Sequence, residues 1–122
     1  MGVGARRRRD TLSPKRSVSL PSLAIRWARE NLCNGFSLGD ASLAIGASPR
    51  TLARRLRAVL GKSPLSYFQD LRVERAVHLL QTTGESVERI ASEVGYSDAV
   101  TLRNLLRRRL GRSASQLRRL ES

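Results

Sequence analysis

Arg50, Arg54 and Arg57 stand four and three residues apart, and Arg103 and Arg107 recur at four-residue spacing further along, Arg107 lying fifty positions after Arg57. A guanidinium on successive turns of one helical face is chemistry for a polyanion. Its planar fork spans two acceptors at once, either phosphate oxygens or the O6 and N7 of a guanine. The apolar residues that such a helix would bury repeat at the same interval: Leu52, Leu56, Leu60, Gly61, Lys62 and Ser63 become Leu102, Leu106, Leu110, Gly111, Arg112 and Ser113. Leucines four apart mark one helical face, each glycine is a stop and each serine a new start. Upstream, Ile45, Gly46, Ala47 and Ser48 answer to Val94, Gly95, Tyr96 and Ser97. One supersecondary unit is therefore written twice, and both copies carry arginine on the faces the leucines leave open.

A short helix, a glycine turn and a capped second helix form a helix-turn-helix pattern, expected here at 38–60 and 86–110. Gly46 and Gly95 supply the turn because a tight crossing needs a residue at ease with positive φ. In that pattern the second helix enters a major groove and its exposed N-terminal positions meet base edges. The base-contacting candidates are then Arg50, Thr51, Ala53 and Arg54 in the first unit, and Ala99, Val100, Arg103 and Asn104 in the second. Arginine suits guanine, asparagine suits adenine, and Ala99 and Val100 suit thymine methyls. Phosphate-contacting candidates are Ser48, Arg55, Arg57 and Lys62, then Arg107, Arg108, Arg109 and Arg112. An alternative stays open, in which all these arginines do no more than neutralise phosphate.

The elements that must position these side chains are all helical, since no segment alternates with period two over a useful length. A first helix begins at Ser22, carries Leu23, Ile25, Trp27, Ala28 and Leu32, and ends near Cys33. Ser37 and Asp40 make a capping box for a short helix with Leu38, Ala41 and Ile45. Ser48 with Pro49 and Ser63 with Pro64 start the next two, the first burying Leu52, Leu56, Val59 and Leu60. The second is a linker helix over 64–82, with Val73, Ala76, Val77 and Leu80 on one face. Ser86 caps the short helix of the second unit, Ser97 or Asp98 its long helix, which buries Leu102, Leu105, Leu106 and Leu110. A final short helix follows Ser113. The expectation is an all-α fold of seven helices, two homeodomain-like helix-turn-helix units in tandem on one long linker. At about 1.5 Å per residue that linker is roughly 27 Å long, enough to set the units about one DNA turn apart.

The net charge of +13 and pI near 11.7 point to a polyanionic partner. Of the 23 basic residues only Lys15 and Lys62 are lysine, which suits bidentate contacts and is equally what GC-rich coding produces. Residues 1–21 read as a disordered basic arm holding Arg6 to Arg9, Lys15 and Arg16, leaving 22–122 as the folded domain. Asp70, Glu74, Glu85, Glu88 and Glu93 lie between the two basic helices, as expected of a stretch that avoids phosphate or of ordinary surface mixing. Cys33 is alone and reads as a small half-buried apolar residue. No apolar run approaches the ~20 residues of a membrane span and the first ten residues lack a secretory core, so a cytoplasmic protein with no membrane partner is expected.

Enzymatic chemistry finds no constellation. His78, the single histidine, sits among Ala76, Val77, Leu79 and Leu80 and reads as a partly buried helix residue. Neither a metal-ligand set, a cofactor motif nor a nucleophile with its base can be assembled around it. Aromatics make up only 4% of the chain, too few for the stacking surface of a single-strand RNA binder, and Trp27, Phe36, Tyr67, Phe68 and Tyr96 read as core or turn packing. The rival reading is a protein-interaction role, in which a truncated regulator competes for the sites or the polymerase surface of a full-length paralogue.

From about Leu23 to Arg119 the chain resembles the DNA-binding domain of AraC/XylS-type bacterial transcription regulators. The resemblance rests on Ser48-Pro-Arg-Thr-Leu-Ala-Arg-Arg-Leu-Arg, Gly61-Lys-Ser-Pro-Leu-Ser-Tyr-Phe, Leu71-Arg-Val-Glu-Arg-Ala-Val-His-Leu-Leu and Ile90-Ala-Ser-Glu-Val-Gly-Tyr-Ser-Asp. It implies seven helices, sequence-specific binding to double-stranded DNA as a monomer upstream of promoters, and contact with RNA polymerase in activators. The family pattern differs at Leu102, Leu106 and Leu110, where it has Phe, and at Val100, where it has a small hydroxyl residue. It differs again at Asn104 (Arg or Lys), Ala114 (Pro) and Leu117 (Tyr). The run from Thr101 to Gly111 resembles a branch that carries an amidotransferase-like sensing domain ahead of this one. At this length the expectation is either a standalone regulator or a copy lacking that sensor.

Overall fold

The computed structural model describes residues 19–120, so the expected basic arm falls almost wholly outside the described residues. Seven helices follow in order: α1 Leu20–Glu30, α2 Leu38–Ile45, α3 Pro49–Leu60, α4 Pro64–Thr82, α5 Val87–Glu93, α6 Ala99–Leu110 and α7 Ala114–Arg119. A single 3-10 turn, Leu32–Asn34, separates α1 from α2. No strand occurs among the described residues.

The helices begin where the sequence places a short oxygen-bearing side chain. Ser19, Ser37, Ser48, Ser63, Ser86, Asp98 and Ser113 each accept a hydrogen bond from the backbone N–H three residues on. Each satisfies one of the four donors that a helix start leaves open, worth about 1 kcal/mol where the site is shielded. Capping boxes at Ser37 with Asp40 and Ser113 with Gln116 satisfy a second. At α6 the cap is Asp98, and the Thr101 amide, followed by its hydroxyl, holds the Asp98 carboxyl below its ordinary value. The start of α1 lies earlier than the expected Ser22, because Pro21 sits inside the first turn, where a missing N–H costs nothing.

Two apolar clusters form, one per helix-turn-helix unit, and α4 belongs to both. Its N-terminal half gives Phe68 and Leu71 to a first lobe with Ala24, Ala28, Ala41, Leu52 and Leu56. Its C-terminal half gives Val73, Ala76, Leu79 and Leu80 to a second lobe with Ile90, Val94, Leu102, Leu105, Leu106 and Leu117. The periodicity read at Val73, Ala76, Val77 and Leu80 is thus the second lobe's stripe; the first lobe's lies on another face of the same helix.

At the changeover sits Arg72, only 5% exposed, with its guanidinium 4.7 Å from the Phe36 ring of the first lobe and 5.7 Å from the Tyr96 ring of the second. Burial lowers the Arg72 pKa and raises that of Tyr96, and in each case the other residue partly offsets the shift. Phe36 continues edge-on to Trp27 and Phe68, with centroids 4.8 and 4.9 Å apart, so these aromatics are packing residues as expected. The loops carrying Phe36 and Tyr96 cross at Gly35 and Gly95. A Cβ on Gly95 would stand 2.2 Å from the Leu32 carbonyl oxygen.

Four expectations need correction. Val59 is 66% exposed and Leu110 42% exposed, each in a last turn that overhangs its lobe, whereas Leu60 packs half-buried against the first cluster as expected. His78 is exposed, since α4 buries Leu79 and Leu80 beside it and turns position 78 outward with Glu74 and Arg75. Cys33 is exposed because it belongs to the 3-10 turn after α1 rather than to the helix's apolar face.

Gly46 and Gly95 hold equivalent places in the repeat at φ +77° and +96°, but a Cβ on Gly46 meets nothing within 4 Å. Gly46→Ala is expected to cost about 1 kcal/mol from left-handed strain alone, and Gly95→Ala at least about 3 kcal/mol because backbone must also move. Thermal unfolding checks this at about 4–8 °C per kcal/mol, and equal losses would contradict the crossing. The Asp98 carboxyl is depressed in the fold, so its contribution is present above the ordinary carboxylate range and is lost as pH falls through the folded value. Asp98→Asn should therefore reduce the acid sensitivity of the unfolding midpoint.

Candidate nucleic-acid interface

Successive residues of a helix are about 100° apart around its axis, so each long helix can be divided by position. In α3, Leu52 and Leu56 are fully buried, and the opposite arc holds Arg50, Ala53, Arg54 and Arg57. All three of those arginines are exposed and Ala53 is half-buried. In α6, Ala99, Leu102, Leu105 and Leu106 are buried, and the matching arc holds Val100, Arg103, Asn104 and Arg107, all exposed. Each arc starts at a capped N-terminus, where the helix dipole adds positive potential to the arginines.

Two candidates do not lie on these arcs as expected. Ala99 is only 7% exposed. With Asp98 as cap, Ala99 is the first helical residue and lines up at i, i+3 and i+7 with Leu102 and Leu106, which puts its methyl in the second core. Arg109 is half-buried, and its two terminal nitrogens donate to Asp70 Oδ1 and, at 2.7 Å, to Gln69 Oε1, both on α4. The signal was present in the sequence: Arg109 is four past Leu105 and three past Leu106, on the inward stripe, although its charge suggested otherwise.

The remaining candidates fall on the flanks or ends. Thr51 is half-buried and its hydroxyl lies 3.0 Å from that of Ser48, whose oxygen is already the α3 cap. Arg55 and Arg108 are exposed beside their arcs, and Arg112 is exposed beyond the end of α6. Lys62, just past the end of α3, donates to Asp70 Oδ2 at 2.5 Å. Among the described residues no carboxylate pairs with Arg50, Arg54, Arg55, Arg57, Arg107, Arg108 or Arg112. Arg103 faces Glu88 at 3.6 Å with both side chains at least half exposed, a pair too weak to hold it against a phosphate or a base.

The intervening acids do not form a bare negative patch. Glu74 meets Arg29, and Glu85 and Glu93 both meet Arg89. Behind the arcs, Arg118 of α7 donates to the Thr83 carbonyl at 2.6 Å and to the Glu85 carbonyl, tying α7 to the turn that precedes α5. The contacts that sequence reasoning missed are those of α4: Asp70 and Gln69 hold Lys62 and Arg109, and Arg72 lies between Phe36 and Tyr96, none of the three α4 residues standing on either arc.

Residues 41–120 match the model of a helix-turn-helix domain family. The chain is 32% identical over 94 residues to the HTH-type transcriptional activator RhaS of Escherichia fergusonii, a match covering 77% of this chain and 34% of that protein. It thus spans about a third of the length of that relative. The crystal structure of the AdpA DNA-binding domain in complex with a target DNA superposes with a TM-score of 0.78 at 32% identity, covering 84% of this chain and 93% of that one. A transcriptional regulator with an AraC-type DNA-binding domain from Chromobacterium violaceum gives a TM-score of 0.79 at 26% identity, over 84% and 92% of the two chains. The chain belongs to the AraC-type family of helix-turn-helix proteins.

Proposed function

We infer that the chain binds double-stranded DNA sequence-specifically and regulates transcription, with α3 and α6 in successive major grooves of one duplex face. The observation that carries this reading is the pair of equivalent exposed arcs, each on a capped helix whose opposite face is buried. Base contacts belong to Arg50, Ala53 and Arg54 in the first unit and to Val100, Arg103 and Asn104 in the second, with Thr51 at the margin. Phosphate contacts belong to Ser48, Arg55 and Arg57, and to Arg107, Arg108 and Arg112. The DNA-bound AdpA domain and the activator RhaS support the assignment by likeness. The excess of positive charge supports it through counterion release, which favours any duplex before sequence is read.

Both units lie on one chain, so a monomer spans two half-sites, and the protein acts in the bacterial cytoplasm on the nucleoid. Contact with RNA polymerase belongs to the same proposal, as does regulation by a domain elsewhere in a longer protein. The second unit's arc carries Val100 and Asn104 where the first has Arg50 and Arg54. That asymmetry favours one alternative, a protein that grips one groove and competes with a full-length paralogue.

Footprinting with the purified chain separates the two: protection of about 20 base pairs supports two grooves, and protection of about ten supports one. Arg54→Ala is expected to relax preference at its half-site by about 1–3 kcal/mol per guanine contact in a selection from random DNA. An unchanged preference would remove Arg54 from the base-reading set. Arg107→Ala should weaken all sequences alike and flatten the slope of log K against log salt by about one unit. A loss confined to one sequence would reassign it as a reader.

A further inference from the structure

The two carboxylate oxygens of Asp70 serve different lobes. Oδ2 accepts from Lys62, just beyond the C-terminal end of α3, and Oδ1 accepts from Arg109, in the last turn of α6. The second terminal nitrogen of Arg109 is held 2.7 Å from Oε1 of the neighbouring Gln69. The far ends of both candidate recognition helices are therefore fastened to one turn of the linker helix. All three charged side chains are partly shielded, with exposures of 45% for Lys62, 31% for Asp70 and 27% for Arg109.

Neither hydrophobic cluster includes this contact. Each lobe keeps its own core, and nothing in those cores requires the helix ends to meet at Asp70. What the carboxylate adds is a constraint between lobes, on the side of α4 away from Arg72. It also holds two cations of the helix ends on one carboxylate.

We propose that Asp70 is a positioning residue that sets the half-site spacing read by the two helices, by holding Lys62 and Arg109 on one carboxylate and off the DNA. This rests on the DNA-binding reading above. One inserted base pair moves a half-site by about 3.4 Å and turns it by about 35° around the duplex. A protein whose helices are fixed at both ends cannot follow that change, and one fastened only by Arg72 and the crossing loops can do so more easily. Release of Lys62 and Arg109 also supplies two cations to nearby phosphates. The removal of Asp70 thus has two effects of opposite sign: non-specific binding grows and discrimination between spacings falls.

The test is a binding titration of the full chain on its own selected operator, and on versions lengthened or shortened by one base pair, across a range of salt. Wild type should disfavour the altered spacings by about tenfold or more, comparable with a poor base pair in a site. Asp70→Asn should cut that penalty to about threefold or less and steepen the salt slope by about one to two units, one for each released cation. Asp70→Glu, which keeps the charge, should restore most of the penalty. Arg109→Gln should lose spacing discrimination without steepening the slope, because it frees no arginine.

Thermal unfolding of each variant reports the cores independently. A folded Asp70→Asn with unchanged spacing penalty and salt slope would overturn the proposal, and so would one that weakens binding to every DNA, which marks a structural role alone. If wild type selects no two-part site, the DNA reading fails before Asp70 is tested; a two-part site with an inert Asp70 leaves that reading standing and removes only this one.

Discussion

Everything the two basic faces can do together depends on a cation buried between two lobes. Arg72 leaves α4 where that helix passes from one apolar cluster to the other, and its guanidinium lies against Phe36 on one side and Tyr96 on the other. Burying a charge is costly unless its surroundings compensate. Here two ring faces do so, each within the range where a guanidinium gains from aromatic π density. The loops bearing those rings cross at Gly35 and Gly95 so closely that backbone lies against backbone. An arginine in that place ties each lobe to the linker and so to the other lobe. A leucine there would fill the space but would lose the reach of the guanidinium to both rings.

The internal repeat makes each unit a copy of the other, and the linker makes them unequal. Equivalent positions place Arg50, Arg54 and Arg57 on the arc of α3, but Val100, Asn104 and Arg107 on that of α6. On the proposed reading the first arc, with its three arginines, serves guanine and phosphate. The second is less charged and more apolar, suited to thymine methyls and adenine edges. The last turns differ in the same way: Val59 projects into solvent, whereas Arg109 at the equivalent place folds back onto α4. A duplicated unit can thus diverge in what it reads while its caps, glycine stops and buried leucines stay fixed, because those features serve the fold and the arcs do not.

The legible parts of this fold were the local ones. Caps at Ser37, Ser48, Ser63, Ser86 and Ser113, stops at Gly61 and Gly111, and the stripes of Leu52 with Leu56 and Leu102 with Leu106 all follow from interactions within a few residues. What stayed hidden was tertiary. Arg72 has the composition of a surface residue and is buried by elements from both ends of the chain. Ala99 is small enough for either face, and only the choice of Asp98 over Ser97 as cap sets its direction. Arg109 occupies an apolar position in the heptad-like spacing, and its partner lies 39 residues away. The arginine-bearing arcs were legible as faces; the contacts made on them belong to a ligand and are written in no intramolecular spacing.

The few acids of this chain act as a sorting device for its many arginines. Each of Asp70, Glu74, Glu85, Glu88 and Glu93 lies against a basic side chain, and four of those five pair with Arg29, Lys62, Arg89 or Arg109, none of which stands on either arc. The exception, Glu88 with Arg103, is a solvent-exposed pair at 3.6 Å, the weakest kind and the easiest for DNA to replace. A uniform positive surface would hold any polyanion in any orientation. Pairing Arg29, Lys62, Arg89 and Arg109 with carboxylates, while Arg50, Arg54, Arg57 and Arg107 on the arcs have no carboxylate partner among the described residues, turns a large net charge into a directed field. In the proposed binding mode such a field would bring a duplex to the two helices first and set its orientation before any base edge is read.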